Sequence, residues 1–276
     1  FDSYANGSQI VGQGGWEEWG AGAGANVSSA QALSAPHSLD ISAAADVVHQ
    51  YVGVTNDKWI YTAHQYIPAS LNAKAYFILL SVYNVGGPYV WAVQVGFNNA
   101  NSNVEADAGG SIASTPIFFD QWVKIEVIIH LDEDWVQFFY NGTLLDSAGV
   151  ADHPKLGGGW RWTGGPFGSS AGVLEFAAVD LYANLSNSVF YDDISLAPYL
   201  PLDMANVTTS SSQGLAADFQ LNATTEFAGR FYLLLGSVTG TIPGLPLPGS
   251  GGQVLPLNWD GVTDMGEQCD DGNTVS

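Results

Sequence analysis

Two pairs of carboxylates have spacings that bear on acid–base chemistry. Glu105 and Asp107 are two residues apart, so a β-strand would point both side chains to one face, as cleavage of a glycosidic bond requires. No third carboxylate follows on that strand and two glycines end it, so a solvated face of an edge strand is the alternative. Glu175 and Asp180 are five residues apart and fall on opposite faces of a regular strand, which prevents them from acting together.

A glycine-rich loop carries residues that are suited to sugar binding. The run GGGWRWTGGP, residues 157–166, contains Trp160, Arg161 and Trp162. Exposed indoles offer flat apolar faces to sugar rings, and the guanidinium could bind hydroxyls or a carboxylate. The alternative is that both indoles cap the open end of a sandwich.

Other tryptophans allow the same two interpretations. Trp16 and Trp19 follow a glycine pair and could be ligand contacts or packing residues. Alternation along the segment 89–97 assigns Trp91 to the core and places Gln94 on the opposite face of the strand, which makes Gln94 a weaker ligand-binding candidate.

Two further motifs do not support an enzyme. The run GSSAG, residues 168–172, matches the serine-hydrolase pattern, but a glycine- and proline-rich loop precedes it and a strand follows, where a nucleophile turn needs a strand and then a helix. The five histidines lack the spacing of zinc ligands. We therefore expect no catalytic residues.

Short strands joined by turns must position these side chains. In the run 122–131 apolar residues alternate with polar ones, which predicts a half-buried antiparallel strand, and a second strand, 135–140, follows. Asn141-Gly142 then favours a two-residue hairpin turn. Similar segments recur along the first 196 residues. The pattern predicts an all-β fold, a two-sheet antiparallel sandwich, with a small C-terminal β module.

Composition excludes several classes of partner. Six Lys and Arg against 27 Asp and Glu give a formal charge of −21, so nucleic acid and anionic membrane surfaces would be repelled. No apolar run approaches the roughly 20 residues that span a bilayer, so we expect no membrane insertion. The polar, lysine-poor composition favours a secreted or cell-surface location, and the start at Phe1 is consistent with a removed signal peptide.

Domain boundaries follow from proline and from shifts in composition. Pro198 and Pro201 interrupt strand pairing, and a Ser/Thr-rich segment follows. We expect a sandwich over residues 1–198, a small β module over 199–260 that packs on it, and an acidic segment over 261–276.

The first 198 residues resemble the concanavalin A-like (laminin G-like) lectin/glucanase superfamily, whose sandwich is also called a jelly roll. The similarity is carried by the opening FDSYANGSQIVGQGGWEEW, the strand WVKIEVIIHL, the hairpin FFYNGTLL and the closing strand FYDDISL. Glucanases of this superfamily carry Glu-x-Asp-x-Glu on one strand, and this sequence has no such triple. The resemblance also implies a possible calcium ion, with Asp2, Asp192 and Asp193 as its ligands.

Two C-terminal segments have resemblances of their own. The run AGRFYLLLGSVTGTIPGLPLPG through LPLNWD is similar to a module of secreted bacterial proteins, and DGVTDMGEQCDDGNTVS resembles the start of a cysteine-rich repeat. The resemblance implies further cysteines beyond Cys269 and an exported protein.

We therefore expect an extracellular, non-catalytic protein that binds a polysaccharide or glycan, or serves as a surface or matrix component. One alternative is a structural subunit that self-associates through sheet edges as a homo-oligomer or filament. A less favoured alternative is a polysaccharide-cleaving enzyme that uses Glu105 and Asp107.

Overall fold

A computed structural model gives the fold of the chain. It describes residues 1–20, 23–107, 111–146, 153–163 and 172–199, together with the backbone of four short strands after residue 200. The chain divides into two compact units, Phe1–Tyr199 and Leu200–Ser276. In the described part, no helix has the length and apolar character needed to cross a bilayer.

The first unit is built from fourteen strands. In chain order they are β1 (Trp16–Glu18), β2 (Asn26–Ser28), β3 (Ser38–Ile41), β4 (Asp46–Gln50), β5 (Lys58–Tyr66), β6 (Ala75–Tyr83), β7 (Tyr89–Asn98), β8 (Asn103–Asp107), β9 (Ser111–Pro116), β10 (Trp122–His130), β11 (Trp135–Tyr140), β12 (Thr143–Leu144), β13 (Ala178–Tyr182) and β14 (Val189–Pro198).

These strands form two antiparallel sheets of seven strands each. Sheet I has the order β1-β4-β13-β6-β7-β8-β9, and sheet II has the order β12-β11-β10-β5-β14-β3-β2. Along most strands apolar and polar side chains alternate, so each sheet has an apolar face. The apolar faces of the two sheets can be buried against each other. The predicted all-β sandwich is therefore confirmed.

Aromatic side chains join the two sheets in the core. Phe77 of β6 in sheet I lies 5.9 Å from Phe138 of β11 and 6.5 Å from Tyr191 of β14, measured between ring centroids, and both partners belong to sheet II. All three rings are almost fully buried. Burial of such large apolar groups on both inner faces is the main force that holds the sheets together.

The predicted hairpin at Asn141-Gly142 is confirmed. Asn141 has φ +49° and Gly142 has φ +74°, the left-handed conformations that a type I′ turn needs at both positions. The turn reverses the chain from β11 into β12, where Tyr140 pairs with Thr143. Because the turn fixes the register, the buried rings of β11 keep their place against sheet I.

The alternation expected along β7 is interrupted by a bulge. Leu79 pairs with Val93 and Leu80 with Trp91, so Ala92 is an extra residue in the β7 strand. Ala92 and Val93 both pack in the main core, and the residues before them are shifted by one position. The assignment of Trp91 to that core is therefore wrong: its side chain lies on the outer face of sheet I, half-buried.

The second unit contains two strand pairs among its described residues. β15 (Leu202–Met204) pairs with β16 (Phe219–Leu221), and β17 (Leu245–Pro246) pairs with β18 (Val254–Leu255), both antiparallel. Residue Cys269 and the segment 261–276 lie outside the described residues. The packing of this unit on the sandwich stays a prediction.

Candidate functional site

The outer face of sheet I differs from an ordinary solvated sheet surface. Strand alternation places a second apolar cluster there, separate from the main core, built on Val48, Ile78 and Leu80. Half-buried aromatic, acidic and amide side chains surround this cluster. We call the surface the aromatic–acidic face, and its members come from β1, β4, β13, β6, β7 and β8.

Four rings form a continuous patch at one end of the face. The centroid of the Trp19 ring lies 4.4 Å from that of Tyr89, 5.2 Å from that of Tyr83 and 6.2 Å from that of Trp91. Trp19, Tyr89 and Trp91 are half-buried, whereas Tyr83 is buried beneath them. The patch therefore offers ring surface to solvent on a floor that is already packed.

A second aromatic pair lies further along the same face. Tyr76 of β6 and Tyr182 of β13 are directly opposite in the register, with ring centroids 6.0 Å apart and planes inclined by 13°. Both rings are half-buried. Two nearly parallel phenols on adjacent strands give the face a second flat apolar surface with hydroxyls at its edge.

Lys74 joins the two carboxylates that the sequence placed on one strand face. Its Nζ donates to Glu105 Oε2 at 2.8 Å and to Asp107 Oδ2 at 2.6 Å. The lysine side chain passes over Gly96, where a Cβ would collide with its Cε atom. Glycine in the middle of β7 is thus required by the close approach of this side chain.

Amide groups complete the surroundings of Glu105. Burial raises the pKa of the Glu105 carboxyl, but hydrogen bonds from Asn101, Lys74 and Asn98 outweigh burial and hold the pKa below its usual value. Both Glu105 and Asp107 are buried, and β9 pairs with β8 on its outer side. The strand that carries them is therefore not the solvated edge strand of the alternative prediction. An ionised, fully bonded Glu105 is suited to accept hydrogen bonds and unsuited to donate a proton.

Gln94 belongs to the same cluster. Its Nε2 donates to the carbonyl oxygen of Asp107 at 2.9 Å, and its side chain is half-buried. Because of the bulge at Ala92, Gln94 and Trp91 share the outer face that alternation alone would have split between them. The structure therefore brings Gln94, Trp91, Glu105 and Asp107 onto one surface.

Two carboxyl groups of the face contact each other. Asp46 of β4 and Asp180 of β13 hydrogen-bond through their side chains, which requires a proton between them, and Asp180 is only 4% exposed. Burial raises the pKa of Asp180 well above its usual value, and the charge of Asp46 adds to the effect. Among the described residues, the Oδ1 atoms of both have no hydrogen-bond partner. The raised pKa values of both carboxyls favour a protonated, hydrogen-bonded pair up to a higher pH than for free carboxyls.

Tyr83 lies close to this acid pair. Burial, followed by the charges of Glu17, Tyr89, Asp180 and Asp46, raises the pKa of its hydroxyl to about 12. The hydroxyl therefore stays protonated and remains a hydrogen-bond donor beneath the ring patch.

The tryptophans of the loop 157–163 are core residues. Trp160 is 0% and Trp162 1% exposed, and their indole N–H groups donate to the carbonyl oxygens of Ala92 and Glu175, each at 2.9 Å. The expectation that these two indoles are exposed for sugar binding is therefore wrong, and the cap interpretation describes them. Arg161 is exposed and its Nη1 donates to Asp134 Oδ2 at 3.0 Å. Arg161 thus fixes the loop to the end of β10–β11.

The three predicted metal ligands meet around the loop between β2 and β3. Asp192 Oδ2 accepts two backbone N–H groups of this loop at 2.9 and 3.2 Å, Asp193 Oδ1 accepts the hydroxyl of Ser34 at 2.7 Å, and Asp2 Oδ1 accepts the N–H of His37 at 3.1 Å. A calcium ion needs several oxygen ligands, whereas these carboxylates face N–H and O–H donors. No group of three His, Cys, Asp or Glu side chains in the described part is arranged to hold a metal. The contacts do not fit calcium and explain the three residues as anchors of the loop.

Sequence reasoning missed most of the aromatic–acidic face. Asp46, Tyr76 and Tyr182 come from three strands that are distant in sequence, and only the sheet order brings them together, whereas Trp19, directly after β1, is a candidate that the sequence offers. A usable signal was the position of Asp180 in the apolar run AVDLY, because a carboxylate there must be paired or protonated.

Comparison with known proteins gives likenesses of low similarity. Neither a scan against protein families nor a search of curated proteins finds a match. Among solved structures, a cellulose-induced protein, Cip1, is 14% identical, with 63% of this chain and 84% of that chain covered and a TM-score of 0.41. The carbohydrate-binding module CBM66 from Bacillus subtilis is 10% identical, with 66% and 94% covered and a TM-score of 0.37.

A third likeness is to an enzyme. The catalytic domain of the glycoside hydrolase family 131 protein from Coprinopsis cinerea is 12% identical, with 67% and 83% of the chains covered and a TM-score of 0.39. At these identities and scores the comparisons carry no inference about activity. A function has to be argued from the contacts of the face.

Proposed function

We propose that this chain is an extracellular, non-catalytic glycan-binding protein and that the aromatic–acidic face is its binding surface. The observation that carries the proposal is the patch of Trp19, Tyr89 and Trp91, half-exposed and on the same face as bonded carboxylates and amides. Sugar rings are bound by this combination, because their C–H faces stack on aromatic rings and their hydroxyls exchange hydrogen bonds with polar groups.

The charge of the face favours a neutral glycan. Glu17, Asp46, Glu105 and Asp107 are carboxylates of this surface, and Lys74 is its cation in the described part, already bonded to two of them. The whole chain carries a formal charge of −21. An acidic polysaccharide would be repelled, since like charges at an interface cost several kcal/mol.

The carboxyl geometry supports binding rather than cleavage. Glycosidases separate an acid and a second carboxylate by about 5–5.5 Å or 6.5–9.5 Å and give the two different protonation states. Glu105 and Asp107 are instead bridged by one lysine, and Asp46 and Asp180 are in direct contact, with the pKa of both carboxyls raised. Neither pair has the arrangement of an acid with a separate nucleophile or base.

The proposal is tested with one variant on the face and one matched variant elsewhere. Trp91→Ala removes a half-buried ring of the patch, and Trp122→Ala removes a half-buried tryptophan of β10 in sheet II, which packs on Tyr66. Binding to a panel of neutral and acidic polysaccharides is measured by affinity electrophoresis and then by calorimetry. Trp91→Ala should weaken binding about tenfold or more, as loss of an aromatic anchor does.

The control and the enzymatic alternative complete the test. Trp122→Ala should bind as the unchanged protein does, and equal loss in both variants would remove the face from the explanation. If no polysaccharide binds the unchanged protein, the proposal fails as a whole. Release of reducing ends should be absent with every substrate, and release that stops in Glu105→Gln would establish the cleaving enzyme instead.

A further inference from the structure

A pocket of about 370 Å³ lies where sheet I approaches β14 of sheet II. One side is lined by the rings of Phe1, Tyr4, Trp16, His49 and Tyr51, and the other by residues 194–196. Its volume falls near the lower end of the range of about 300–1,000 Å³ that is typical of small-molecule sites. It is separate from the aromatic–acidic face, since none of its lining residues belongs to that surface.

The ring side of the pocket is held in place by its neighbours. The Trp16 ring lies 5.4 Å from that of His49, which lies 4.8 Å from Tyr51. Tyr51 in turn stacks on the buried Phe176 at 4.8 Å with planes inclined by 24°. The Nε2 atom of His49 donates to the carbonyl oxygen of Gly14 at 3.0 Å. The rings are therefore positioned before any ligand arrives, which lowers the cost of binding.

A bulge in β14 forms the opposite side. The pairing of β14 with β5 shifts between Asp192 and Ser195, and Asp193 adopts φ +46°. Beyond the bulge, Ile194 and Leu196 are half-buried against the main core while Ser195 is exposed. Bulges commonly redirect side chains next to binding sites. Here the bulge gives the pocket two aliphatic groups, whereas Ser195 pairs with Thr62 and its side chain lies on the outer face of sheet II.

The chemistry of the lining specifies the ligand. Of the described residues that line the pocket, none is a carboxylate, a lysine or an arginine, in a chain that carries 27 acidic residues, and the imidazole of His49 is bonded to a backbone carbonyl. Rings and aliphatic groups suit an apolar surface, and the phenol of Tyr4 and the imidazole of His49 suit hydroxyl groups. We propose that this pocket is a second binding site, which takes a single uncharged sugar ring. The site is independent of the aromatic–acidic face and does not require that face to bind glycan.

The test fills the pocket from the bulge. Ile194→Trp enlarges a half-buried side chain of the lining, and Ala197→Trp places the same side chain on an exposed position of the same strand outside the lining. Saturation-transfer and chemical-shift NMR titrations of the whole chain use methyl glucoside, galactoside, mannoside and xyloside. Glucuronate is the charged comparison, and indole is the aromatic one.

The proposal predicts that at least one neutral methyl glycoside binds and that glucuronate binds at least tenfold more weakly. Ile194→Trp should weaken neutral-sugar binding tenfold or more, and Ala197→Trp should leave it unchanged. Binding of indole alone, equal losses in the two variants, or no sugar binding at all would each overturn the site. Trp91→Ala should not alter binding of the methyl glycosides, so failure of this pocket and failure of the aromatic–acidic face give different results.

Discussion

Replacing Asp180 with asparagine should remove a large part of the pH dependence of folding. In the folded chain burial raises the pKa of Asp180 well above its usual value and Asp46 adds to the shift, whereas in the unfolded chain both carboxyls ionise near pH 3.9. Because the pKa of Asp180 is raised on folding, the stability contributed by the pair is fully present below the unfolded pKa and is lost as pH rises toward the folded pKa. The amide of Asp180→Asn can donate to Asp46 without taking up a proton.

The size of the effect follows from the single proton. A folded state that holds one proton more than the unfolded state loses about 1.4 kcal/mol of stability per pH unit. For a unit of about 200 residues this corresponds to roughly 3–6 °C in Tm per pH unit. The stability of Asp180→Asn relative to the unchanged protein should therefore rise with pH above the unfolded pKa, by at most this amount per pH unit.

The measurement is a series of thermal and urea unfolding curves from pH 4.5 to pH 8, followed by near-ultraviolet circular dichroism. Asp46→Asn should reduce the slope only in part, because burial, the larger cause of the raised Asp180 pKa, remains. Glu18→Gln, which removes an exposed carboxylate from β1, is the charge-matched control and should leave the slope unchanged. Parallel stability–pH curves for the unchanged protein and Asp180→Asn would refute a shared proton.

Two further substitutions test how the face and the core are built. Gly96→Ala should keep the fold but displace Lys74 from Glu105 and Asp107, because the new Cβ meets the flexible end of the lysine side chain. The pKa of Glu105, measured by carboxyl NMR titration, should then be raised. An unchanged pKa would contradict the lysine bridge. Trp160→Ala should destabilise the sandwich by about 3–5 kcal/mol, because it empties a buried site and leaves the carbonyl of residue 92 without this donor. A loss below about 1 kcal/mol in urea unfolding would contradict its role as a core residue.

The sandwich was predictable because most strands are short and regular. Alternation in β10 and the Asn141-Gly142 turn each specify one local geometry, and the structure has both. Alternation failed in β7, where a single extra residue moves Trp91 from the inner to the outer face. A bulge of one residue is hard to recognise from the apolar pattern of the sequence, because a small residue such as Ala92 can lie on either face.

The candidate site was less predictable because it depends on strand order. Tyr76 and Tyr182 are neighbours only because β13 is inserted between β4 and β6 in sheet I. The spacing of Glu105 and Asp107 correctly put both on one face, but the lysine that joins them comes from another part of the chain. The glycine-rich context of the two loop indoles left both exposure and capping open, and the sequence does not show that their N–H groups bind carbonyl oxygens inside the sandwich.

The margins of the two sheets bear on how copies of this chain can meet. β1 and β2 have three residues each and β12 has two, and these strands end three of the four sheet margins. A strand from another molecule that docked at such a margin would gain only two or three rungs of backbone pairing. Among the strands at the four sheet edges, β9 is the longest and could form more backbone pairs. Its final residue, Pro116, has no N–H to donate. A polymer that forms through the described edges of this sandwich should therefore join at β9 or through side chains, rather than at β1, β2 or β12.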